Sequence, residues 1–130
     1  MSQGRARGRY YTKPEVNRII KRIEDNGDRF RKYVDKDIDR TRFNETRSED
    51  RIWDQVKQLE EATDMLRRKF DRSDHWQETR GEVQVVLREA RDVERIMERI
   101  QISPRVRDTW RLIRHDLNTL SGVYNLGSVS

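Results

Sequence analysis

Apolar residues in this chain recur at alternating steps of four and three, and they do so in four separate stretches. That spacing gathers side chains into one stripe of an α-helix, and a helix with one apolar stripe must bury it against neighbours. The first stripe is Val16, Ile20, Ile23, Gly27, Phe30 and Val34, flanked by Ile19 and Ile38. The second is Ile52, Val56, Leu59, Thr63, Leu66 and Phe70. The third runs Trp76, Thr79, Val83, Val86, Ala90, Val93, Met97 and Ile100, and the fourth Val106, Trp110, Ile113, Leu117, Leu120 and Tyr124. Only a few residues separate one stripe from the next, so consecutive helices have to run antiparallel. The pattern predicts an all-α antiparallel up-down-up-down four-helix bundle, with helices at about 13–42, 47–72, 75–101 and 104–125.

Local signals agree with these limits. Thr12-Lys13-Pro14-Glu15 can cap a helix reciprocally, and proline in a first turn forfeits no intrahelical bond. Thr46-Arg47-Ser48-Glu49 is a second box of this kind. The third helix has two candidate starts, Asp74-His75-Trp76-Gln77 and Thr79-Arg80-Gly81-Glu82. Ser103-Pro104 opens the fourth, and Asn125 and Gly127 suit its end. Gly27 keeps the register of its stripe, which reads as a close-packing site or a mild kink. With hydrophobic residues at only 32%, the alternative architecture is a pair of helical hairpins that completes its core by dimerising.

Charge is abundant but uneven. The net charge is +5, and Arg5, Arg7 and Arg9 supply three of it in the first nine residues. Residues 1–11 therefore read as a flexible basic arm on a nearly balanced bundle, and 126–130 as a C-terminal tail. Arginines followed by Tyr10 and Tyr11 resemble nucleic-acid-binding arms, in which guanidinium groups meet phosphates and rings stack on bases. Arg5, Arg7, Arg9, Tyr10 and Tyr11 are the candidate polyanion-binding residues. Arg88, Arg91, Arg95 and Arg99 form a stripe on the outer side of the third helix, interrupted by Glu94 and Glu98. Trp53, one step off the Ile52 stripe, is the candidate partner-facing aromatic, set against simple padding of the core edge.

Catalytic and metal signatures fail on inspection. Asp35, Asp37 and Asp39 imitate a calcium loop, but Arg40 and Thr46 stand where glycine and glutamate are required. Neither His75 nor His115 has a glutamate three residues before it, as di-iron bundles need. Carboxylate pairs such as Glu60-Glu61 are expected at this charge density. Pairs at helical spacing, Asp25 with Arg29, Asp28 with Lys32 and Asp64 with Arg68, read as surface ion pairs. There is no cysteine to build a disulfide or thiolate site. No apolar run approaches membrane length, and no apolar segment follows the N-terminal arginines.

Asp28-Arg29-Phe30, Thr46-Arg47-Ser48-Glu49-Asp50, Ala62-Thr63-Asp64-Met65-Leu66-Arg67 and the ending through Asp116, Leu117, Leu120, Tyr124 and Asn125 resemble a group of uncharacterised small all-helical proteins of bacteria, made with a signal peptide and exported. The resemblance implies an all-α exported protein and no activity. On it the compartment is periplasmic or extracellular if the chain is a mature form, and cytoplasmic otherwise. The residues lead to a non-enzymatic structural or protein-interaction module without a cofactor, acting on a protein partner or on itself. Nucleic-acid or polyanion binding through the arm is the alternative.

Overall fold

The structure, a computed structural model, describes residues 11–39, 47–100 and 102–129, with backbone alone at 38, 39 and 47–50. Helix α1 spans Lys13–Asp39, α2 Arg47–Arg72, α3 Arg80–Met97 and α4 Pro104–Val123. A single 3₁₀ turn, Trp76–Thr79, precedes α3. The expected extension of the first helix to residue 42 and the Thr46 capping box lie outside the described residues.

The first helix start and the last helix end are made as their sequences require. Thr12 N–H donates to Glu15 Oε1 at 2.8 Å, and Thr12 Oγ1 accepts from Glu15 N–H at 3.3 Å, closing the first capping box. At the other end of the chain Asn125 takes the left-handed conformation, φ 58°. Leu126 N–H reaches the Ser121 carbonyl at 2.7 Å and Asn125 N–H that of Gly122 at 3.2 Å, the paired bonds of a Schellman stop. Of the two candidate starts for the third helix, the later one begins the α-helix, but neither closes as a capping box, the Thr79 hydroxyl being taken by the Trp76 carbonyl and Tyr124. The earlier one makes the 3₁₀ turn, in which Trp76 and Thr79 are already buried.

Ser103 Oγ accepts the Val106 N–H at 3.3 Å and itself donates to the Asp37 carboxylate, which Arg105 also grips at 2.7 Å. One serine thus caps α4 and ties its start to the end of α1. Ser103→Ala should cost about 0.5–2 kcal/mol, the usual range for a lost N-cap. Urea melts should show the loss as a lower midpoint at unchanged slope.

All neighbouring helices are antiparallel, as the cross-links show. Arg22 meets Asp116 at 3.1 Å while Arg105 meets Asp37, so α4 runs down as α1 runs up. Lys69–Glu82 and the bond from Gln55 to Glu89 order α2 and α3 in the same way. The closest packing is α1 on α4 and α2 on α3; the α1–α2 and α3–α4 seams are looser. Residues of all four stripes share one interior. The core therefore closes within one chain by pairing the first helix with the last, which the dimerising-hairpin alternative does not do.

Every residue of the second and fourth stripes is buried. Phe30 and Trp110 stack obliquely at 5.2 Å in the centre. The Trp110 indole N–H donates to Glu94 at 2.6 Å, and Arg114 holds the other oxygen of that carboxylate at 2.8 Å. Leu87 and Ile96 are also buried, one position off the third stripe, because α3 is covered on two sides.

Ion pairing differs from the sequence expectation. Asp25 pairs with Lys21 at 3.7 Å rather than with Arg29, which bonds Asn26. Asp28–Lys32 and Asp64–Arg68 do not close. Well-formed bridges instead run between helices, including Arg67–Glu24 at 2.9 Å, where both side chains are about three-quarters buried. Desolvated groups need partners more than solvated ones do, and the partners within reach there belong to the next helix.

Residues 125–129 are docked. Arg91 donates to the carbonyls of Gly127 and Ser128, and Val129 N–H donates to Asn118 Oδ1 at 2.7 Å. Val129 itself joins the core. The tail thereby covers part of the loose α3–α4 seam.

Candidate functional site: a groove between the first two helices

The second loose seam, α1–α2, stays open along its middle and forms a groove of about 480 Å³. Ile23, Phe30, Leu59 and Ile113 make its floor, with Gly27 and Thr63 on facing helices. Gly27 sits where the seam is open. A Cβ placed there would meet nothing within 4 Å, so this glycine is not a close-packing site. Its φ is not in the left-handed range either. Nothing in the backbone calls for glycine, and what its missing side chain provides is space. Gly27→Ala should stabilise the chain by about 0.5–1 kcal/mol, the ordinary gain of alanine over glycine inside a helix. A thermal melt checks this, and a tightly packed glycine would give the opposite sign.

Carboxylates wall the groove: Glu24, Asp25 and Asp28 from α1, Glu60 and Asp64 from α2, against the one guanidinium of Arg31. Glu24 is held by Arg67, Asp25 by Lys21 and Glu60 by Arg31 at 2.9 Å. Among the described residues Asp28 and Asp64 have no such counter-charge. Burial pushes the Glu60 carboxyl above its ordinary value; Arg31 opposes this, and the charges of Asp28 and Asp64 add to it. These three carboxylates therefore feel one another, and a cation arriving between them would relieve the repulsion. The Thr63 hydroxyl is spent on the Leu59 carbonyl at 2.8 Å. What the groove offers is a set of acceptors for cationic groups above an apolar floor.

A like-charge pair at helical spacing was the signal that sequence reading passed over. Glu24 and Asp28 stand four apart, as do Glu60 and Asp64, so each pair shares a helix face and repels. Of the pair Glu60-Glu61, only Glu60 enters the groove, and Glu61 is exposed.

The residues singled out from the sequence are dispersed. Arg5, Arg7, Arg9 and Tyr10 lie outside the described residues. Tyr11 is half-buried and packs on the core, so part of its ring belongs to the bundle. Trp53 likewise rests half-buried against the core edge. His75, just before the 3₁₀ turn, and His115, on α4, are both exposed. Asp37, from the calcium-like run, serves Ser103 and Arg105. The arginine stripe is divided, since Arg91 holds the tail while Arg95 and Arg99 line a second cleft with Arg51, Asp54 and Asp92. Exposed large hydrophobics among the described residues are Met65, Val85 and Leu112, one each on α2, α3 and α4. No described helix is long and apolar enough to cross a membrane. Comparison with known protein families, curated proteins and solved structures finds no match for the chain.

Proposed function

We propose that this chain is a non-enzymatic structural and protein-interaction module whose recognition face is the α1–α2 groove. Its partner on this reading is a basic protein segment that also carries apolar side chains. The observation that supports it is the placing of Asp28, Glu60 and Asp64 over Phe30 and Leu59 in the open α1–α2 seam. Only three large hydrophobics are exposed among the described residues, which favours a charge-selected partner over a greasy one.

The test is a titration of the isotope-labelled chain with a synthetic peptide of alternating arginine and leucine, followed by amide shifts. Shifts confined to the neighbourhood of residues 23–31 and 59–64 are expected. They should vanish in Asp28→Lys/Asp64→Lys, a pair of exposed substitutions that leaves the core untouched. Shifts scattered over every acidic surface, and indifferent to those substitutions, would sink the reading.

Polyanion binding through Arg5, Arg7, Arg9, Tyr10 and Tyr11 is the second reading. The cleft that brings Arg51, Arg95 and Arg99 together favours it as a second cluster of guanidinium groups, although Asp54 and Asp92 share its lining. Duplex binding at several salt concentrations tests it. Deleting residues 1–9 should shrink the salt slope by up to about 0.9 for each lost phosphate contact. Equal binding with and without the arm would remove this reading.

A further inference from the structure

We propose that the α1–α2 groove is a closed socket for one large apolar side chain, presented together with a neighbouring arginine by a helical partner segment lying over the seam. This rests on the groove being the recognition face and names the residue pattern that it reads. Two ion pairs cross the seam as rungs. Arg67 of α2 meets Glu24 of α1 at 2.9 Å, and Arg31 of α1 meets Glu60 of α2 at 2.9 Å. Glu24 and Arg31 are seven residues apart, as are Glu60 and Arg67, so the rungs stand about 10 Å from each other at ~1.5 Å per residue. Gly27 and Asp28 lie between them on α1, with Thr63 and Asp64 opposite on α2.

That frame decides what can enter. A helix is roughly 10–12 Å across with its side chains, so it rests on the rungs and sends only side chains between them. The space beneath, about 480 Å³, is floored by Ile23, Phe30, Leu59 and Ile113. Thr63 keeps its hydroxyl on the Leu59 carbonyl and so makes no polar demand on an entering group. Gly27 brings no side chain, and a Cβ there meets nothing within 4 Å. The interior therefore suits an apolar anchor. At the rim the rungs neutralise Glu24 and Glu60, and Lys21 holds Asp25 at 3.7 Å. Asp28 and Asp64 remain, both exposed, one on each wall, with no ion pair among the described residues. An arginine three or four residues from the anchor shares its helix face. Its stem can cover the apolar floor while its guanidinium reaches one of these carboxylates.

The test titrates the full isotope-labelled chain with a lactam-bridged helical peptide that carries one leucine and an arginine four residues to either side. Amide shifts centred on Gly27 and Thr63 are expected. Changing the peptide's leucine to alanine should weaken binding about ten-fold or more, as loss of a buried anchor does, and leave the salt dependence unchanged. Asp28→Asn/Asp64→Asn should instead flatten the salt dependence. Gly27→Leu should fill the socket from within and weaken binding as much as the alanine peptide does. Gly27→Ala, which adds a Cβ that touches nothing, should leave binding nearly unchanged.

Equal binding of the leucine and alanine peptides would overturn the proposal, and that comparison decides even where Gly27→Leu fails to fold. So would undiminished binding to a folded Gly27→Leu. If those changes have no effect yet the alternating arginine–leucine peptide still shifts residues 23–31 and 59–64, the recognition face stands and the socket does not. If no basic peptide shifts the groove, both fall.

Discussion

Leu117→Ala lowers the stability of the chain by about 2–5 kcal/mol, the range for emptying a leucine site in a close-packed core. Leu117 is fully buried, in the second half of α4, in an interior shared with Leu59, Leu66, Val86 and Leu120. All four helices converge there, so no single helix can shift inward without breaking contacts elsewhere, and the cavity persists. Leu59→Ala at the edge of the groove should fall toward the lower end, because the open seam beside it can relax. Leu112→Ala is the internal control, since that side chain is 53% exposed on the same helix. Its effect should stay below about 0.5 kcal/mol. Urea melts of the three variants decide the matter, and near-equal losses at Leu112 and Leu117 would mean that the helix is rotated from the register described.

Stability should also fall by about 2–3 kcal/mol as the solution is made strongly alkaline, with Tyr124 as the cause. Burial pushes its phenol up to about 12, with Glu82 adding to the shift and the Thr79 hydrogen bond opposing it. The ring meets Trp76 edge-on at 5.2 Å, and its oxygen lies 2.8 Å from Thr79 Oγ1. A raised pKa in the fold means that folding favours the neutral phenol. The contribution is therefore complete below the unfolded value near pH 10 and is lost as pH rises from there to about 12. Two units at about 1.4 kcal/mol each set the size. Tyr124 is 5% exposed, so solvent screens little of it. Denaturant melts of the native chain and of Tyr124→Phe, compared between pH 9 and about 12, isolate the phenol from other groups that titrate there. The variant should lose up to about 1 kcal/mol at neutral pH with the hydrogen bond, and should lack the phenol's share of the alkaline decline. Parallel curves for the two proteins would assign that decline to other groups.

Cap chemistry read directly from the sequence because it is local. Thr12 with Glu15, Ser103 before Pro104 and Asn125 after the last turn each act within a few residues, and each is found as its neighbours dictate. Ion pairing was less legible. Spacing of four suggested Asp25 with Arg29, but Lys21 stands four residues away on the other side of Asp25 and takes it, while Arg29 bonds Asn26. At more buried positions a partner on the next helix also competes. Arg67 reaches across to Glu24 as well as along its own helix to Asp71.

The candidate site was hidden for a related reason. Glu24, Asp28, Glu60 and Asp64 are visible as two like-charge pairs, yet nothing in either helix says that the pairs face each other. Gly27 carried the same ambiguity, since a missing side chain permits close approach and leaves space equally well. Helix packing chose space, by drawing α1 toward α4 and α2 toward α3 and leaving α1–α2 apart.

Periodicity alone determined the class of fold, the four helices and nearly all of the core, because a 3–4 repeat marks its buried face whatever lies opposite. Chain order and short turns determined the antiparallel course. Which seams close tightly, where the carboxylates converge and where the C-terminal tail lies were decided only in three dimensions. Those outcomes depend on distances between helices, and no spacing within one helix encodes them.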